Sequence, residues 1–195
     1  MKKLLPIATG CLLAVSVQAG EWHVDKKVKD NQVKFTSEVV ALTFDGTTDK
    51  VDGYIYWEGD TLFEKKNQFV FEVELASFDT GIGKRNRDMR DVLGTKQWPK
   101  AIFKGEIIHH RPDSTAQSYV ATAKGFFSMH GVEKSMEVPA NIVIGSGYSK
   151  ITSNFIVRLE DYNIEAPSLA AFVKVSEDVA VSVHFTMQHI QEKKK

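Results

Sequence analysis

The chain has 195 residues, with 25 basic against 25 acidic side chains and 43% apolar residues. That suffices for one domain with a sizeable core, and the charge balance leaves no basic footprint for nucleic acid. Its one cysteine, Cys11, lies in the leading apolar stretch, so residues 20–195 carry neither a disulfide nor thiolate chemistry.

Residues 1–19 read as a removable export signal. Lys2 and Lys3 form a basic start, Leu4 to Val17 an apolar run, and Val17-Gln18-Ala19 a small-residue cleavage site before Gly20. The run falls short of the roughly 20 apolar residues that span a bilayer, and no later stretch reaches that length, so no stable membrane insertion is expected. A lipoprotein signal at Gly10-Cys11 competes, but the apolar region before it is short. The domain is then 20–195, exported to the periplasm or secreted, with the lysines at 193–195 as a frayed end.

From Gln32 onward the chain alternates apolar and polar residues with period two, the mark of half-buried strands. Gln32 to Phe44 reads as one strand, closed by an Asp45-Gly46 turn, and a short piece around Trp22 and Val24 packs alongside. Val51 to Trp57, Asn67 to Leu75, Ala101 to Ile108, Tyr119 to Met129, Ser135 to Ile144, Ile151 to Leu159 and Val179 to Met187 bring the expected total to eight strands. Two segments compete as helices. Lys84 to Leu93 is rich in helix formers, and Pro167-Ser168 opens a single turn reaching Val173. Eight antiparallel strands with almost no helix predict an all-β sandwich or closed barrel.

Along Tyr119 to Met129 the odd positions include Ala121, Ala123 and Gly125, opposite large apolar residues on other strands. Small against large describes a jigsaw core, the simpler reading of the pattern alone, or else an apolar cavity. Charge is concentrated in Lys84, Arg85, Arg87 and Arg90, interleaved with Asp88 and Asp91. The plain reading is a solvated helix; the functional one is a rim meeting an anionic head group.

The six histidines include no HxH or HExxH spacing, so neither a metal nor a cofactor is expected. Gly81 and Gly83 lack the rest of a dinucleotide fingerprint. Ser128 and His130 lie two apart and supply an esterase-like alternative, but no G-x-S-x-G elbow surrounds the serine.

Three stretches carry a resemblance. They are Phe78-Asp79-Thr80-Gly81 with Arg85-Asn86-Arg87-Asp88-Met89-Arg90 and Trp98-Pro99; Gly125-x-Phe127-Ser128-Met129-His130-Gly131-Val132; and Asp161-Tyr162-Asn163-Ile164. With Trp22-x-Val24-Asp25 and Val33-x-Phe35 at the start, the chain resembles the YceI-like lipid-binding proteins over nearly all of residues 20–195. It departs from them at Asp30-Asn31, where His-Ser is common, and at Glu165 to Leu169. The resemblance implies a single lipocalin-like barrel of eight antiparallel strands around a polyisoprenoid or similar amphipathic lipid, acting as a non-enzymatic carrier or sequestering protein. A structural or stress-related barrel with a filled core is the other alternative, and dimerisation is left open. Strand parity then points Phe69, Phe71, Phe103, Ala121, Ala123, Phe155, Val181 and Val183 into an apolar tunnel. The loop from Thr80 to Trp98 covers its mouth, with Arg85 or Arg87 meeting the head group.

Overall fold

The computed structural model describes residues 19–39, 42–115, 117–170 and 173–190. The expected signal, up to residue 18, and the lysine tail lie outside these residues. In chain order the elements are β1 (Ala19–Val24), β2 (Gln32–Val39), β3 (Leu42–Thr48), β4 (Val51–Glu58) and β5 (Asn67–Glu74), then the helix α1 (Gly83–Val92). After it come β6 (Lys100–Pro112), β7 (Ser118–Met129), β8 (Val132–Ile144), β9 (Tyr148–Arg158), β10 (Ser168–Ala170), β11 (Val173–Lys174) and β12 (Asp178–His189).

Eight strands close into an antiparallel barrel in the order β1-β4-β5-β6-β7-β8-β9-β12, with β12 returning to β1. The expected number holds, but its membership differs. The piece around Trp22 is a full wall strand, paired to β4 from Ala19↔Glu58 to His23↔Tyr54 and to β12 from Trp22↔His189 to Val24↔Met187. The stretch read as a single strand from Gln32 to Phe44 is instead a hairpin, β2 against β3, from Val33↔Thr48 to Val39↔Leu42. Asp45-Gly46 is no turn: it lies within β3, where Thr36 Oγ1 donates to Asp45 at 2.6 Å. A Cβ on Gly46 would stand 2.2 Å from the Phe35 ring, so the glycine makes room for a phenylalanine on the paired strand.

β12 pairs with β1 near Met187 and with β2 from His184 to Ala180, so those two strands share one wall position end to end. On its other edge β3 makes only an isolated bridge, Thr47↔Asp79. The wall is therefore interrupted on that side, next to α1. Asn31, at one departure from the family pattern, is buried and structural. Its side chain accepts from the Thr186 N–H at 2.7 Å and donates to the Asp25 carbonyl at 2.8 Å, tying the β1–β2 connection to β12.

The segment expected to form a helical turn after Pro167 pairs as strands instead. Ser168 opposes Lys174, and the Pro167 carbonyl accepts from the Val175 N–H at 3.0 Å. α1 falls within one residue of its expected bounds. It ends in a Schellman arrangement, with the Thr95 N–H on the Arg90 carbonyl and the Gly94 N–H on that of Asp91, each at 3.1 Å. Gly94 has a φ of +56°, the left-handed conformation this cap requires.

Outside the barrel, lysines and carboxylates pair across strands, as in Lys124–Glu137 at 3.1 Å and Lys104–Glu133 at 2.9 Å. Charge outside and apolar residues inside is the inverse of a membrane-spanning barrel. No helix among the described residues is long and apolar enough to cross a membrane.

Candidate functional site: an apolar cavity with one charged rim

The inner face does not fill. A cavity of about 880 Å³ runs down the barrel from the α1 end, near the upper limit for small-molecule sites. At the opposite end the interior is packed. Trp22 meets Trp57 edge-on at 4.9 Å, and Leu62 and Met187 are buried beside them.

Seven of the eight parity-derived residues line the cavity: Phe69, Phe71, Phe103, Ala123, Phe155, Val181 and Val183. Their rings form a connected wall, with Phe69 at 4.9 Å from Phe103 and Phe71 at 5.2 Å from Phe185. Ala121 is the exception. It is only 3% exposed and does not border the void. Its cross-strand partner Ala140 does border the void, so Ala121 sits at cavity depth but under the packing of its neighbours.

The hairpin β2–β3 adds lining that the single-strand reading missed. Val33, Phe35 and Val39 face in from β2, and Leu42 and Phe44 from β3. Phe35 holds the group together, with ring centroids 5.3 Å from Phe78 and 6.1 Å from Phe44. Ser37, in the same inward row, is 3% exposed, and its hydroxyl has no hydrogen-bond partner.

Among the described lining residues, only Lys84, Arg85 and Asp88 are charged, and all three lie on α1 at the mouth. Lys84 and Asp88 pair at 2.5 Å one helical turn apart. Arg85 donates from Nε to the Thr80 hydroxyl at 3.0 Å and from Nη2 to the Thr80 carbonyl at 2.8 Å. Its guanidinium also stands 4.6 Å above the Phe44 ring, a cation–π contact. Arg87 is exposed and does not border the cavity. Two residues along a helix turn a side chain by about 200°, so both arginines cannot face one lumen.

The segment before α1 is clamped by its own side chains. Asp79 Oδ1 accepts from the Gly81 N–H at 2.9 Å and from Asn86 Nδ2 at 2.7 Å, and Asn86 Oδ1 accepts from the Thr80 N–H at 2.9 Å. Arg90 Nε donates to the Ala76 carbonyl at 2.8 Å. The Asn86 and Gly81 hydrogen bonds, with the Arg90 charge behind them, hold the Asp79 carboxyl below its usual range. The clamp is thus fully formed above the ordinary carboxylate pKa, near 4, and is lost as pH falls through the lowered folded-state value. Hydrogen-exchange protection of the Thr80 and Gly81 amides is expected to fall on acidification. In Asp79→Ala protection should be low at every pH; an acid step that survives this substitution would place the titrating group elsewhere.

In the connection from α1 to β6, Trp98 packs against the His130 ring at 4.0 Å. His130 Nδ1 lies 3.0 Å from the Tyr162 carbonyl, and since a carbonyl only accepts, the proton sits on Nδ1.

The sequence matches the YceI-like domain model over residues 22–187. The chain belongs to the YceI-like family. Its barrel is similar to that of BcnA from Burkholderia cenocepacia, at 16% identity and a TM-score of 0.67, covering 84% of this chain and 98% of that one. It is also similar to a polyisoprenoid binding domain from Saccharophagus degradans implicated in plant cell wall breakdown, at 16% identity and a TM-score of 0.62, covering 90% and 100%. At such identities the fold is what is shared. Comparison with curated proteins gives no match.

In this YceI-like barrel, Ser128 and His130 do not form a nucleophile–base pair. Ser128 is followed by the end of β7, and its hydroxyl donates to Glu133 at 2.9 Å. The Lys104 hydrogen bond, then that of Ser128, holds the Glu133 carboxyl low. His130 sits in the turn with a φ of +53°, bound to Tyr162 instead. The two share no strand face, because β7 ends at Met129.

Proposed function

We propose that this YceI-like protein is an exported carrier or sequestering protein that holds the long apolar tail of a polyisoprenoid or similar amphipathic lipid inside its barrel. The observation that carries the reading is the cavity itself, with a wall that is apolar except for a few serine and threonine side chains, below a rim that holds all its charge. An apolar tail gains about 0.8 kcal/mol for each methylene it buries. A charged or strongly polar ligand would find only serine and threonine hydroxyls to meet it below α1. The binding domain from Saccharophagus degradans, with a similar barrel, supports the choice of a polyisoprenoid.

Location in the periplasm, or beyond the cell, rests on the expected signal over 1–19. In this reading Arg85 meets the head group. Its guanidinium borders the void, and no carboxylate among the described residues pairs with it. Arg87, facing away from the void, has no such part.

Organic extraction of the purified protein followed by mass spectrometry tests the proposal. One lipid per chain is the expected result. A lipid-free extract would favour a barrel that holds no lipid, and an esterase activity lost in His130→Ala would favour a hydrolase.

A further inference from the structure

The rim has two parts that the carrier reading does not use. Leu42, at the start of β3, is 76% exposed, and Ile82, just before α1, is 52% exposed. Both also line the cavity. The other strongly exposed apolar residues, such as Ile156 and Phe126, stand on the outer barrel wall and border no void. Leu42 and Ile82 therefore mark where the apolar interior continues to the outside. They stand on either side of the interrupted wall, where the free edge of β3 faces α1 and Arg85 bridges to Phe44.

We propose that this mouth docks on the surface of a bilayer containing anionic lipids, with Leu42 and Ile82 entering the acyl region. The inference rests on the carrier reading. A tail too apolar for water must pass from bilayer to cavity, and Leu42 and Ile82 give it an apolar side of the mouth to pass along, beside the charged one. The cations of α1 suit the partner. Lys84 and Arg85 follow Ile82 by two and three residues, and Arg87 folds back until Nη1 lies 3.8 Å from where a Cβ on Gly83 would be. Against these three stand Asp88, paired to Lys84, and the exposed Asp79 and Asp91. On the hairpin, Asp45 lies 3.6 Å from Lys34, and Glu38 is exposed nearby. Cations on a helix beside protruding apolar residues describe a surface that lies on a membrane without crossing it.

Co-sedimentation with vesicles of phosphatidylglycerol and phosphatidylcholine tests this. The processed chain, residues 20–195, is expected to bind, and Leu42→Ser and Ile82→Ser each to weaken binding roughly tenfold, the effect of taking one large aliphatic side chain out of an apolar phase. Ile156→Ser, which removes a side chain of 61% exposure from the outer wall, should leave binding unchanged. Failure of the unaltered protein to bind would overturn the proposal, as would an equal loss in Ile156→Ser. So would a result in which Leu42→Ser and Ile82→Ser turn a dimer into a monomer with vesicle binding intact, which would assign the lips to a second copy of the chain. Lipid that copurifies with a protein unable to bind vesicles removes the docking alone. Vesicle binding by a protein whose extracts hold no lipid removes the carrier reading alone.

Discussion

Ala123→Phe is expected to remove most of the bound lipid while the barrel stays folded. Ala123 lies midway along β7 and borders the cavity, so an added ring extends into the void and meets no packed neighbour. If that ring displaces roughly three methylenes of a tail, about 2.4 kcal/mol of burial is lost, on the order of 50-fold in affinity. Ala121→Phe is the contrasting case. Two residues away on the same face, Ala121 is buried and away from the void, where overpacking costs about 1–3 kcal/mol. The expected pair of results is an unchanged melting temperature with lost lipid for Ala123→Phe, and a lowered melting temperature for Ala121→Phe. Equal lipid retention in Ala123→Phe and the unaltered protein would place the ligand elsewhere.

Gly131→Val is expected to cost about 3–5 kcal/mol, combining backbone strain with overpacking. Gly131 has a φ of +77°, which a β-branched residue adopts only under strain. Its added Cβ would also stand 2.7 Å from Trp98 Nε1. Trp98 has nowhere to retreat, since a Cβ on Gly94 would lie just 2.7 Å from the other side of the same ring. The loss should appear as a large fall in melting temperature and, because Trp98 and His130 border the α1 connection, as early exposure of the mouth. A Gly131→Val protein with unaltered stability would mean that the Trp98 contact is not structural.

Much of the barrel was legible because alternation is a local signal. Phe69 and Phe71 on one strand, and Val181 and Val183 on another, show their inward faces without any tertiary knowledge. The α1 bounds were legible too, since Lys84 to Leu93 contains neither glycine nor proline and Gly94 follows. The β2–β3 reversal was not. Val33, Phe35, Ser37 and Val39 keep strict alternation up to it, and the following Val40-Ala41 carries no turn residue, whereas Asp45-Gly46 imitates a turn within a strand. Pro167-Ser168 likewise offers a helix start whose backbone instead pairs with Val175. At the site, parity gave direction but not which inward residue reaches the void. Ala121 and Ala123 point the same way, and only the packing around Ala121 keeps it from the void that its partner Ala140 borders. Arg85 and Arg87 could have been separated from helical geometry alone, as residues about 200° apart.

The central claim is that a lipid tail lies inside the barrel, against its phenylalanines. Nuclear magnetic resonance of the protein loaded with a prenyl alcohol tests this most directly, through nuclear Overhauser contacts between aliphatic ligand protons and aromatic ring protons. Contacts to Phe71, Phe103 and Phe155, all of which line the cavity, are the predicted result. Contacts confined to Phe126 and Tyr148 on the exposed outer wall, with none to the inner rings, would contradict it.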